Sequence, residues 1–126
     1  MSDAVRFLPA STAPALRDEL VRQSLTLAAF NGTAISDGPA LHEALGQALA
    51  FPAYYGANWD AAEECLGELA ERYPQGCALF IDHAGGLWQR LPHEMGQLVS
   101  LWLAASDTLA TAGIPLLLIF LLESKR

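Results

Sequence analysis

The seven residues Leu116–Leu122 are all apolar. A strand with one face in water alternates apolar and polar residues, so an unbroken apolar run of this length reads as a strand buried on both faces. It is too short to cross a bilayer as a helix, which takes about 20 residues. The wider stretch 95–122 carries only Asp107 as a charge. Gly113, Pro115 and the polar Ser100, Ser106, Thr108 and Thr111 interrupt it, so it reads as a helix followed by a buried strand. A buried strand needs helical cover, which points to an α/β fold with a mainly parallel sheet.

The other elements follow the same logic. Residues 4–8 predict a short strand ended by Pro9, and Ser11, Thr12 and Pro14 start a helix to about residue 24. Leu16 and Leu20 face its core side, with Arg17, Asp18, Glu19 and Arg22 towards water. A strand at 25–30 stops at Asn31-Gly32. Ser36-Asp37-Gly38-Pro39 opens a helix with Leu41, Leu45, Ala48 and Leu49 at helical spacing, which Phe51-Pro52 ends. Residues 53–59 form a loop, and Asn58 or Asp60 caps a helix to about residue 72. Tyr73-Pro74-Gln75-Gly76 turns into a buried strand at 77–81, followed by a loop at 82–86 and a helical turn at 87–90. Pro92 opens the longest helix, whose Met95, Leu98, Val99, Trp102 and Leu109 share a face, and Gly113 stops it before a strand at 114–122. Strands 25–30, 77–81 and 114–122 are expected in one parallel sheet, the last two near its interior.

A chain of 126 residues suits one domain with a real core. Its net charge of −7 argues against a nucleic acid backbone or an anionic membrane as partner, and suits a basic protein. Cys65 and Cys77 are too few for a disulfide framework, and neither has a second ligand at metal spacing, so both read as core residues in a reducing compartment. Residues 1–9 lack the basic start and long apolar stretch of a secretory signal.

Catalytic patterns are missing as well. His93-Glu94 begins like a zinc-protease motif, but the second His does not follow. Gly85-Gly86 has neither the ending of a phosphate loop nor the spacing of a dinucleotide turn, and there is no Gly-x-Ser-x-Gly elbow. His42, His83 and His93 each read as solvated surface histidines. Cys65 has no basic neighbour in its own helix to make it a nucleophile. No metal or cofactor is expected.

The informative stretch lies between Phe51 and Glu71. On a helix, Ala62, Cys65, Leu66 and Leu69 form one face, and Asp60, Glu64, Glu68 and Glu71 another, with Glu63 beside them. Alone, such a ridge is a solvated helix face. Like charges four residues apart cost a few tenths of a kcal/mol, partly offset by the helix N-terminus. The aromatics Tyr54, Tyr55 and Trp59 change that reading, because aromatics beside clustered carboxylates look like a protein-binding surface. At least one of the tyrosines is expected to plug the core. A carboxylate hydrolase using Asp60 and Glu64 is the weaker alternative, since both sit on one helix with no electrophile, base or metal ligand facing them.

The run Pro52, Tyr54-Tyr55-Gly56, Asn58, Asp60-Ala61 and Cys65-Leu66 closely resembles the barstar family of ribonuclease inhibitors. Asn31-Gly32, Leu41-His42 and Gly113 add weaker support. The resemblance covers about 25–122, with 1–24 as an added strand and helix, so 1–126 is expected to form a single barstar-like domain. It implies a small parallel sheet packed with helices, and a cytoplasmic inhibitor rather than an enzyme, acting without a cofactor. Such proteins plug the active site of a basic, secreted, barnase-like ribonuclease or related toxin with an acidic helix and the preceding loop, as an antitoxin or immunity protein. Their carboxylates stand where substrate phosphates would lie. By position, Tyr54, Gly56, Asn58 and Asp60 match the binding loop, and Glu64 takes the place of the family's central Asp. Glu63 stands where barstar itself has a tryptophan, and Thr108, next to Asp107, where it has a contacting Glu. Tyr55, Trp59 and Glu68 complete the expected partner-binding set. The alternative within the resemblance is a barstar-like module for a different basic protein.

Overall fold

Residues 3–52, 55, 56 and 58–123 are described by a computed structural model. Strands β1 (Val5–Pro9), β2 (Thr26–Asn31), β3 (Cys77–Asp82) and β4 (Leu116–Leu122) form a four-stranded sheet in the order β1-β4-β3-β2. Every neighbouring pair is parallel. The two apolar runs are therefore its central strands, as their composition requires.

Alternation divides the sheet into two packed faces. Leu79 and Ile81 of β3 and Leu118 and Phe120 of β4 point into the larger core. That core also receives buried apolar side chains from each of α2 (Gly38–Ala48), α3 (Trp59–Gly67), α4 (Leu69–Arg72), α5 (Ala84–Arg90) and α6 (Pro92–Ala110). Ala78, Phe80, Ile119 and Leu121 point the other way, against Ala13 and Leu20 of α1 (Ala13–Arg22). Because β1 and β2 lie at opposite edges, α1 crosses the whole sheet between them.

Several local expectations are modified. The segment after β3 is a full helix, α5, where a loop and one helical turn were expected; His83 enters it in a left-handed conformation, φ +54°. The helix after Asn58 is interrupted at Glu68, just past Gly67, and resumes as the short α4. Arg17, expected in water, lies with its guanidinium 4.7 Å from the Phe80 ring centre. The helix is close enough to the sheet for that side chain to cover it.

Side chains tie the helices to the strands. Trp102 donates from Nε1 to the Leu116 carbonyl at 3.1 Å, joining α6 to β4 within the core. Arg90 donates to the Ile35 and Gly32 carbonyls at 3.1 and 2.7 Å, joining α5 to the turn after β2. Gly76 turns the chain into β3 at φ +106°, where an added Cβ would meet the Pro115 carbonyl at 2.6 Å. Cys65 and Cys77 are both free and buried, and burial pushes the Cys77 thiol up to about 12. No helix among the described residues is long and apolar enough to cross a membrane.

Candidate functional site

Asn58 organises the start of the acidic helix. Its Oδ1 accepts from the Ala61 N–H at 2.8 Å, capping α3, while its Nδ2 donates to the Gly56 carbonyl at 3.2 Å. One amide thus satisfies an orphan helix donor and fixes the end of the preceding loop. With α3 seated, Ala62, Cys65 and Leu66 are buried. Asp60, Glu63, Glu64 and Glu68 are exposed, and so is Gly56. Among the described residues no ion pair involves Asp60, Glu63 or Glu64. The carboxylates are thus presented to solvent on a capped helix, successive members of the ridge about one turn apart.

The aromatics take different places. Tyr55 turns inward: its hydroxyl is hydrogen-bonded to Nδ1 of His42, and its ring stands edge-on to Phe51 at 4.9 Å. Burial, assisted by Cys65, raises its phenol to about 12, so it stays protonated at neutral pH. Trp59, the first residue of α3, is half-buried, with its ring 4.4 Å from that of His42 in an edge arrangement. Tyr54 lies outside the described residues.

His42 is the main correction to the sequence reading, which placed it on a solvated helix face. It is only 6% exposed. Burial holds its imidazole below the ordinary value, against a weaker opposing pull from Glu94. His83 is partly exposed and pairs with Glu123 at 2.7 Å, and that hydrogen bond raises its pKa. His93 is exposed.

The loop leaves α2 at a fixed point. Arg72 donates to the carbonyls of Leu49 (3.3 Å) and Ala50, and the Tyr73 hydroxyl donates to Leu49 at 3.3 Å. These bonds satisfy carbonyls left open at the end of α2. They also hold Ala50 in a left-handed conformation, φ +54°. Sequence reasoning saw Arg72 and Tyr73 only as the end of a helix and a turn.

Glu63 reaches the boundary with α6. It lines one side of an open groove of about 700 Å³ whose other side is formed by Gly96, Gln97, Ser100 and Ala104. Thr108 lies one helical turn beyond Ala104, exposed, with its Oγ1 donating back to the Ala104 carbonyl at 3.2 Å. The structure therefore gathers Tyr55, Gly56, Asn58, Trp59, Asp60, Glu63 and Glu64 around one loop and helix start. Glu68 sits at the interruption between α3 and α4, and Thr108 on a different helix. Asp60 and Glu64 are open to water on one helix, which is not the enclosed, opposed geometry that carboxylate hydrolysis needs.

A family model described as Barstar (barnase inhibitor) matches residues 25–120. No curated protein matches the chain.

Proposed function

The chain belongs to the barstar (barnase inhibitor) family, and on that premise we propose that it inhibits a basic, barnase-like ribonuclease by presenting the start of α3 and its preceding loop to the enzyme's active site. The observation that carries the reading is the exposed set Asp60, Glu63 and Glu64 on a helix capped by Asn58. A ribonuclease cleft is cationic because it binds RNA phosphates. Carboxylates held on a rigid helix offer that cleft the same charge without a scissile bond. The overall charge of −7 favours encounter with such a partner. The inhibitor would act inside its producer, before export of the enzyme or on entry of a neighbour's toxin.

One observation favours a partner that differs from barnase in detail. Thr108 offers no carboxylate and turns its hydroxyl back to its own helix. A partner with one fewer cationic contact at that edge fits this surface better. The test is inhibition of RNA cleavage. Equimolar chain should abolish cleavage by a basic, guanyl-preferring ribonuclease such as barnase or one encoded beside this chain. Full cleavage at large molar excess of the chain over each enzyme would overturn the proposal.

A further inference from the structure

The loop before α3 touches α2 at more than its point of departure. Tyr55, immediately before Gly56, bonds His42 through its hydroxyl; Trp59, immediately after Asn58, packs its ring against the same imidazole at 4.4 Å. One buried side chain therefore holds both flanks of the segment that carries Gly56 and Asn58. One turn further along α2, Gly46 provides the seat for the Tyr55 ring: a Cβ there would approach Tyr55 Cδ2 to 3.3 Å. Phe51 closes the seat from the loop side.

We propose that His42 is a positioning residue of the partner-binding surface, fixing the loop and the first turn of the acidic helix before a partner arrives by holding Tyr55 and Trp59 together. The inference rests on the reading that this loop meets the partner. Ordering a loop in advance removes that cost from the binding step, so affinity depends on the fraction of molecules in which the loop is held. The groups facing the imidazole are the Tyr55 hydroxyl from the loop, Trp59 from α3 and Glu94 from α6, with Glu43 beside it on α2. Gly46 serves the same arrangement by leaving room for the ring.

The test compares His42→Ala, Tyr55→Phe, their double variant and Gly46→Ala, first without any partner. Amide hydrogen exchange at Tyr55, Gly56 and Asn58 should quicken by about tenfold in each single variant, the scale of losing one hydrogen bond or its seat. Amides of Leu79 and Phe80 in β3 should keep the wild-type rate. The double variant should exchange no faster than the more affected single. Loop exchange that stays at the wild-type rate, or that rises only in step with β3, would overturn the proposal. Tyr55→Phe keeps the test decisive if His42→Ala does not fold. With barnase as the probe, affinity should fall in each variant by the same factor as the fraction of molecules whose loop is held, that fraction being taken from the protection of Gly56 and Asn58, to within about threefold. An affinity that departs from that factor by more than about threefold, in either direction, refutes the role in binding. If the wild-type chain does not bind barnase, the inhibitor reading fails for that enzyme, and the exchange data still decide whether His42 holds the loop.

Discussion

Glu64→Ala separates binding from stability, because the two effects have opposite signs. Glu64 lies on the exposed face of α3, beyond the first turn, so the helix N-terminus stabilises it little. It stands four residues from both Asp60 and Glu68, and each like-charge pair costs roughly 0.2–0.5 kcal/mol. Removing it relieves both pairs, and Ala has the better helix propensity. The free protein should therefore gain about 0.5–1 kcal/mol, read as a Tm rise of roughly 2–5 °C for a chain of this size. Bound in a cationic cleft, the same carboxylate would be half of a desolvated charge pair. Truncating one member of such a pair costs about 2–5 kcal/mol, mostly through faster dissociation. That is roughly a 30- to 5,000-fold weaker Kd. Glu64→Gln should show most of the same loss, since it keeps the shape and removes the charge. The assays are calorimetric unfolding of the free protein and surface-based binding kinetics with the ribonuclease. The reasoning is refuted if the Tm falls by several degrees, or if Glu64→Ala binds within threefold of wild type.

Five further outcomes follow. Raising the salt from about 0.05 to 0.5 M should slow association with a basic partner by tenfold or more and leave dissociation nearly unchanged, whereas a flat on-rate would deny any steering by the acidic ridge. Ala50→Gly should stabilise by up to about 1 kcal/mol in denaturant unfolding, because Ala50 sits at φ +54° where a Cβ is strained. Trp102→Phe should lose about 2–4 kcal/mol, as it abandons the bond to the Leu116 carbonyl and leaves a void in the core. For pH, the folded-state value of His42 lies below the ordinary 6.5, so its stability contribution is present above 6.5 and declines as pH falls towards the lowered value; His42→Gln should flatten that acid limb of a stability–pH curve. His83, raised by Glu123, contributes below 6.5 and loses its contribution as pH rises through its folded value, so Glu123→Gln should flatten the other limb.

What could be read from the residues alone depended on how local its cause was. The central strands were legible because unbroken apolar runs of five residues at 77–81 and seven at 116–122, bounded by turn residues, fit strands buried on both faces. The division of α3 into a buried side with Ala62, Cys65 and Leu66 and an exposed acidic side was legible from helical spacing. Asn58 was one of two candidate caps, and the geometry selects it over Asp60. By contrast, His42 lies beside Leu41 and Leu45 at the margin of the apolar stripe of α2. Only the return of the loop, bringing Tyr55 and Trp59 over it, makes it interior. That burial is a long-range event with no signature in the spacing of α2. The start of α5 was missed for a related reason: His83 provides no side-chain cap, and its left-handed backbone is not a signal carried by histidine.

The first strand and helix acquire a definite meaning from the same alternation. The family match begins at Leu25 and leaves β1 and α1 outside. Yet α2, α4, α5 and α6 all bury their side chains on one face of the sheet. The other face, with Ala78, Phe80, Ile119 and Leu121, is covered by α1. Without that helix, each large side chain there would return to water at a cost of about 1.5–3 kcal/mol. The total would rival the whole stability of a domain this size. The both-sided burial implied by the run Leu116–Leu122 is therefore met by residues from the opposite end of the chain. The acidic ridge belongs to α3, whose Leu66 packs into the core on the other side of the sheet. The β1–α1 unit thus acts on the fold of this chain, and the surface proposed to meet a partner is built from α2, α3 and the loop between them.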